Sequence, residues 1–98
     1  MPARKVYKYP VPIEDTFTLT MPLGAQVLCM DMQGSVPHIW ALVDPSQGPE
    51  VRHFRLAGTG HDIEGAVEYL GSFQMHGGAL VFHLFEAEPF GARIMYEG

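Results

Sequence analysis

Apolar and polar residues alternate most cleanly at Thr16–Met21, where Phe17, Leu19 and Met21 interleave with Thr16, Thr18 and Thr20. A period of two puts one set on a buried face and the other in water, which predicts a strand. Gln26–Gln33 follows, with Leu28, Met30 and Met32 expected opposite Val27, Cys29 and Asp31. Gly34-Ser35 reads as a hairpin turn into Val36–Val43, VPHIWALV. This run is apolar on both faces: His38, Trp40 and Leu42 point one way, Ile39, Ala41 and Val43 the other. Val51–Ala57 sets Phe54 and Leu56 against His53 and Arg55. In Tyr69–Glu86, YLGSFQMHGGALVFHLFE, two apolar runs flank His76-Gly77-Gly78, whose glycines accept positive φ, so a β-hairpin is predicted. Its second run is again two-faced, with Leu80, Phe82 and Leu84 against Val81, His83 and Phe85.

Two weaker elements complete the pattern. Val6–Pro10 is a short edge strand, because prolines at 10 and 12 cannot donate to an inner ladder. Asp62–Glu68 has the outline of one helical turn with Asp62 as N-cap, weakened by its shortness and by Gly65. The chain is therefore expected to be all-β, or β with one short helix. Its six to seven strands would form a small antiparallel β-barrel or sandwich. Residues 1–98 make one domain, with 89–98 a tail whose Ile94, Met95 and Tyr96 suit a strap over the sheet.

Composition sharpens that picture. The 11 glycines and 8 prolines punctuate the chain at short intervals, as joined strands require. A single cysteine, Cys29, excludes an internal disulfide and suits a reducing compartment. No apolar run reaches the roughly 18–20 residues of a membrane-spanning helix, and the basic start lacks the apolar core of a secretory signal. A soluble, cytoplasmic protein is expected. From Pro10 onward three arginines face eleven acids, a net of −8 within an overall −5. Such a body repels a phosphate backbone, which argues against nucleic acid as a partner.

The candidate chemistry is sparse. His38, His53, His61, His76 and His83 show no metal-ligand spacing, so neither a metal nor another cofactor is expected. Cys29, Ser35, Ser46 and Ser72 sit in no recognised nucleophile setting, and Cys29 is expected to be packing material within its strand. Glu64/Glu68 and Glu86/Glu88 supply paired carboxylates without an evident sugar cleft. Gly58-Thr59-Gly60-His61 follows a strand and is a candidate anion nest, with Thr59 and His61 as side-chain donors. A tight turn accounts for the same residues. Two doubly apolar strands need cover on both faces, since a Phe or Leu left in water forfeits roughly 1.5–3 kcal/mol. His38, Trp40, Val81, His83 and Phe85 are the residues expected at the resulting homo-oligomer interface. His38 and His83 would meet if their strands were neighbours.

The set VYKYPVP, FTLTMPLGAQVLCM, IWALVDP, FRLAGTGH and YLGSFQ–GGALVFHLFE resembles a family of small proteins of unknown function encoded by bacteriophages and prophages. The resemblance covers roughly residues 5–87 and implies a compact, strand-rich domain with no catalytic residue to carry over. It also implies an accessory phage protein in the host cytoplasm that acts by binding, as a non-enzymatic anti-defence factor. Such a factor blocks a host protein or sequesters a nucleotide-derived signal. The alternative is a structural or assembly protein of the phage particle.

Overall fold

A computed structural model of the chain describes residues 3–89, Val67 by its backbone alone. Seven strands form: β1 (Lys5–Pro10), β2 (Thr16–Pro22), β3 (Gln26–Gln33), β4 (Val36–Val43), β5 (Pro49–Gly58), β6 (Ala66–Met75) and β7 (Leu80–Ala87). They make a three-stranded sheet in the order β1-β4-β3 and a four-stranded sheet in the order β2-β5-β7-β6. Every pairing is antiparallel. The all-β expectation is met as a small sandwich, and the strands do not close into a barrel.

The core follows from the alternation. Phe17 and Met21 of β2, Ile39, Ala41 and Val43 of β4, and Phe54 and Leu56 of β5 are buried. Phe73 of β6 and Leu84 of β7 join them in one cluster between the sheets. Phe17 pairs directly with Phe54, their rings stacked at 5.3 Å between centroids. Residues 22–25 carry the chain from one sheet to the other in a turn closed by the Ala25 N–H on the Pro22 carbonyl. That turn needs glycine at position 24, where φ is +81°.

An ion pair closes one end of the core. Arg52 grips the Glu86 carboxylate with two of its nitrogens and donates through a third to the Ala25 carbonyl at 2.7 Å. Both charged side chains are under one-fifth exposed, and the contact ties β5 to β7 and to the connection into β3.

Three expectations change. A β-bulge between Val27 and Cys29 shifts the alternation of β3, so Val27, Met30 and Met32 pack toward the core. Leu28 is left 48% exposed and Cys29 is exposed rather than packed. The helical turn over 62–68 does not form. Gly65 takes φ +70°, outside the helical region, its carbonyl accepts from the Glu88 N–H, and β6 begins at Ala66. The third change concerns His38 and His83, which lie on different sheets and do not meet. The hairpin of β6 and β7 does form, with three consecutive left-handed residues, His76, Gly77 and Gly78, at its tip. The expected strap lies, from residue 90 on, outside the described residues.

Candidate functional site

The outer face of the four-stranded sheet carries the main cluster of polar and aromatic side chains. Alternation along β7 sends Phe82 and Leu84 inward, and so sends Val81, His83 and Phe85 outward. Tyr69 pairs with Phe85 across β6 and β7, and Ser72 pairs with His83. The chain leaving β5 turns over the end of β7 at Gly58–His61, where the His61 N–H closes on the Gly58 carbonyl. Gly60 holds the third position of that turn at φ +87°, the signature of a type II turn. The turn places Thr59 directly over β7.

His83 is held at both ring nitrogens. The Thr59 hydroxyl lies 2.8 Å from Nε2 and the Tyr69 hydroxyl 3.1 Å from Nδ1. In the neutral ring one nitrogen donates to its hydroxyl and the other accepts; each hydroxyl can take either role, so the two bonds fix the ring plane in both tautomers. Phe85 packs edge-on against Tyr69 at 5.2 Å. Arg55, also on this face, donates to the Asp62 carbonyl at 3.4 Å, and its Nε is buried with no partner among the described residues. Tyr69 is 54% exposed and Thr59 is exposed too, so water reaches both hydroxyls that hold His83.

Thr59 thus meets His83, with Val81 and Phe85 on the same face, uniting the turn with three of the expected interface residues. The nest does not survive in the form anticipated. The Thr59 N–H is donated to the Val81 carbonyl and the His61 N–H to Gly58, so consecutive free donors are missing. The His61 ring instead covers Gly58, 3.1 Å from where a Cβ would stand. His38 and Trp40 lie on the outer face of the other sheet, their rings 6.1 Å apart. There the His38 Nδ1 lies 3.0 Å from the Val36 carbonyl, and Lys8 stands 5.9 Å over the Trp40 ring.

A second feature lies where the sequence showed only an edge strand. Tyr7 and Tyr9 of β1 face Thr20, Met21 and Pro22 of β2 across a groove of about 400 Å³, with Gln47 and Pro49 at its end. Burial, and then the neighbouring Tyr7, push the Tyr9 hydroxyl above the usual tyrosine range, so it stays a neutral donor. Asp44 orders the loop beside it by accepting from the Ser46 hydroxyl and N–H at 2.6 and 3.0 Å, and these bonds hold its carboxyl below the usual range. The signal was present in the alternation of Lys5, Tyr7 and Tyr9, but nothing local shows that β2 lies opposite.

Among the described residues no group of three or more His, Cys, Asp or Glu is placed to hold a metal ion. No helix there is long and apolar enough to cross a membrane. A family profile described as a domain of unknown function, DUF7352, matches residues 2–94. The chain belongs to the DUF7352 family. No curated protein and no solved structure matches it. Nearly the whole chain is the DUF7352 domain, so the His83 cluster and the β1–β2 groove both fall inside it.

Proposed function

We propose that this DUF7352 protein is a non-enzymatic binding factor that seats a partner protein on the outer face of its four-stranded sheet. The observation that carries the proposal is His83, locked by the Thr59 and Tyr69 hydroxyls on a water-facing strand surface beside Phe85. Aromatic side chains with polar tips, already fixed by hydrogen bonds, provide contact area with little further loss of rotamer freedom on binding. Tyr69, His83 and Phe85 lie side by side across β6 and β7, an extended aromatic contact surface that suits a macromolecular partner. An overall charge of −5 favours a basic partner surface.

Thr59, His83 and Tyr69 have the outline of a nucleophile, a base and an orienting group. The cluster lies open to water, and the Thr59 and His61 N–H groups are already engaged within the fold. A tetrahedral oxyanion would find little preorganised stabilisation there, which supports binding over catalysis.

The resemblance to phage and prophage proteins supports a host-directed role in the host cytoplasm, where the factor blocks a protein of a defence complex. Self-association belongs to the same proposal. Val6 is 56% exposed on the outer face of the three-stranded sheet, next to Leu42 and near Trp40, and an oligomer would cover them.

Thermal-shift measurements against cyclic nucleotides and ADP-ribose derivatives test the choice of ligand class. No shift is expected. A clear stabilisation by one of them would replace protein blocking by sequestration of a nucleotide-derived signal. Mass spectrometry of purified virions tests the particle role, and stoichiometric copies there would overturn the host-directed assignment.

A further inference from the structure

Four strands of the sandwich have a hydrogen-bonded neighbour on one side alone: β1 and β3 end the three-stranded sheet, and β2 and β6 end the four-stranded one. A free strand edge presents backbone N–H and C=O groups that recruit another extended chain unless charge, proline or cover prevents it. The β1 and β2 edges border the same groove, with Tyr7 and Tyr9 on one wall and Thr20 and Met21 on the other. The opposite side of the sandwich is shut. There β6 approaches β3 so closely that a Cβ on Gly71 would stand 3.4 Å from the Met30 methyl.

We propose that the open seam between β1 and β2 is a docking site for an extended, acidic segment of a partner protein, which pairs with a free strand edge and lays side chains against Tyr7 and Tyr9. This site is separate from the His83 face and does not depend on it.

The polarity of the seam selects the occupant. Lys5 lies two residues before Tyr7 and so shares the face of β1 that carries Tyr7 and Tyr9. It is exposed and has no partner among the described residues. Arg4 precedes it with its charge acting on Asp44, and Lys8 adds a third positive charge to the strand from the opposite face, over Trp40. A second copy of β1 is a poor occupant, because an antiparallel β1–β1 pair brings these like charges together. An acidic strand meets Lys5 favourably and finds Tyr9 as a neutral hydroxyl donor. The floor of the groove is Met21, 1% exposed, which suits an aliphatic side chain pointing inward. Pro10 and Pro22, at the ends of the two edges, lack an N–H and limit the paired stretch to a few residues.

The probe is a fluorescein-labelled hexapeptide of alternating valine and glutamate, acetylated and amidated at its ends, titrated against the full chain. Its valine–lysine counterpart and an N-methylated valine–glutamate version serve as controls. Saturable binding of the glutamate peptide is expected, with loss on N-methylation because strand addition needs its N–H groups. Lys5→Glu should weaken binding by about fivefold, since one exposed ion pair is lost and a like-charge contact replaces it, and Tyr7→Ser should weaken it too. Amide chemical shifts of the folded protein should move on both β1 and β2. Equal binding of the lysine peptide, no binding at millimolar peptide, or shifts confined to the His83 face would overturn the proposal. So would the same β1 and β2 shifts on concentrating the protein alone, since a second copy would then fill the seam.

Discussion

Arg52 is the charged side chain that joins β5, β7 and the turn into β3. It satisfies Glu86 through two nitrogens and the Ala25 carbonyl through a third, at 16% side-chain exposure. Arg52→Met would leave the largely buried Glu86 carboxylate unpaired, and about 3 kcal/mol of stability should be lost. A domain of this size has roughly 5–15 kcal/mol in total. Urea denaturation followed by Trp40 fluorescence reads the change, and a midpoint equal to that of the wild type would contradict it. Gly60 tests a backbone requirement instead. At φ +87° any side chain is strained, so Gly60→Ala should destabilise by about 1–2 kcal/mol in the same assay. The glycines at 58 and 60 pointed to that turn, but the role of Arg52 was not visible in the sequence. Arg52 and Glu86 are 34 positions apart, and their meeting depends on β7 lying directly beside β5.

At the scale of elements, the alternation of β2, β4 and β5 was legible because each has a buried face with an uninterrupted period of two. The bounds of β3 and β4 follow directly from the apolar runs and the Gly34-Ser35 turn between them. What was not legible was the register of β3. A bulge adds one residue without changing composition, so Leu28 and Cys29 both turn to water while Val27 and Met30 pack inward. The Cys29 thiol should therefore react with a water-soluble disulfide reagent in the native protein at nearly its rate in denaturant. Protection by orders of magnitude would restore the packed cysteine expected from simple alternation. The turn at Gly58–His61 illustrates the other limit. Its glycines announced a turn, but its contact with His83 required the β5-β7-β6 order, in which the hairpin's second strand lies beside β5.

At the scale of the molecule, the two-faced strands β4 and β7 become central strands of separate sheets, each burying one side chain set in the shared core. Their second faces form the two outer surfaces, which explains why His38 and His83 part company. The three-stranded sheet's outer face, with Val6, Trp40 and Leu42, is the surface proposed for self-association. Light scattering should give a mass above that of one 10.9 kDa chain, and Trp40→Arg should lower it toward one chain. A wild-type mass of one chain would remove the oligomer from the account.

The proposed partner face is tested most directly by capture with paired variants. The protein is immobilised and exposed to an extract of the bacterium proposed as its host, beside a Tyr69→Ser/Phe85→Ser variant and a Trp40→Ser variant, each checked for a native unfolding transition. Bound proteins are quantified by mass spectrometry. A partner retained by the wild type and by Trp40→Ser but lost from Tyr69→Ser/Phe85→Ser is the predicted result. A partner held equally by the Tyr69→Ser/Phe85→Ser variant would contradict it.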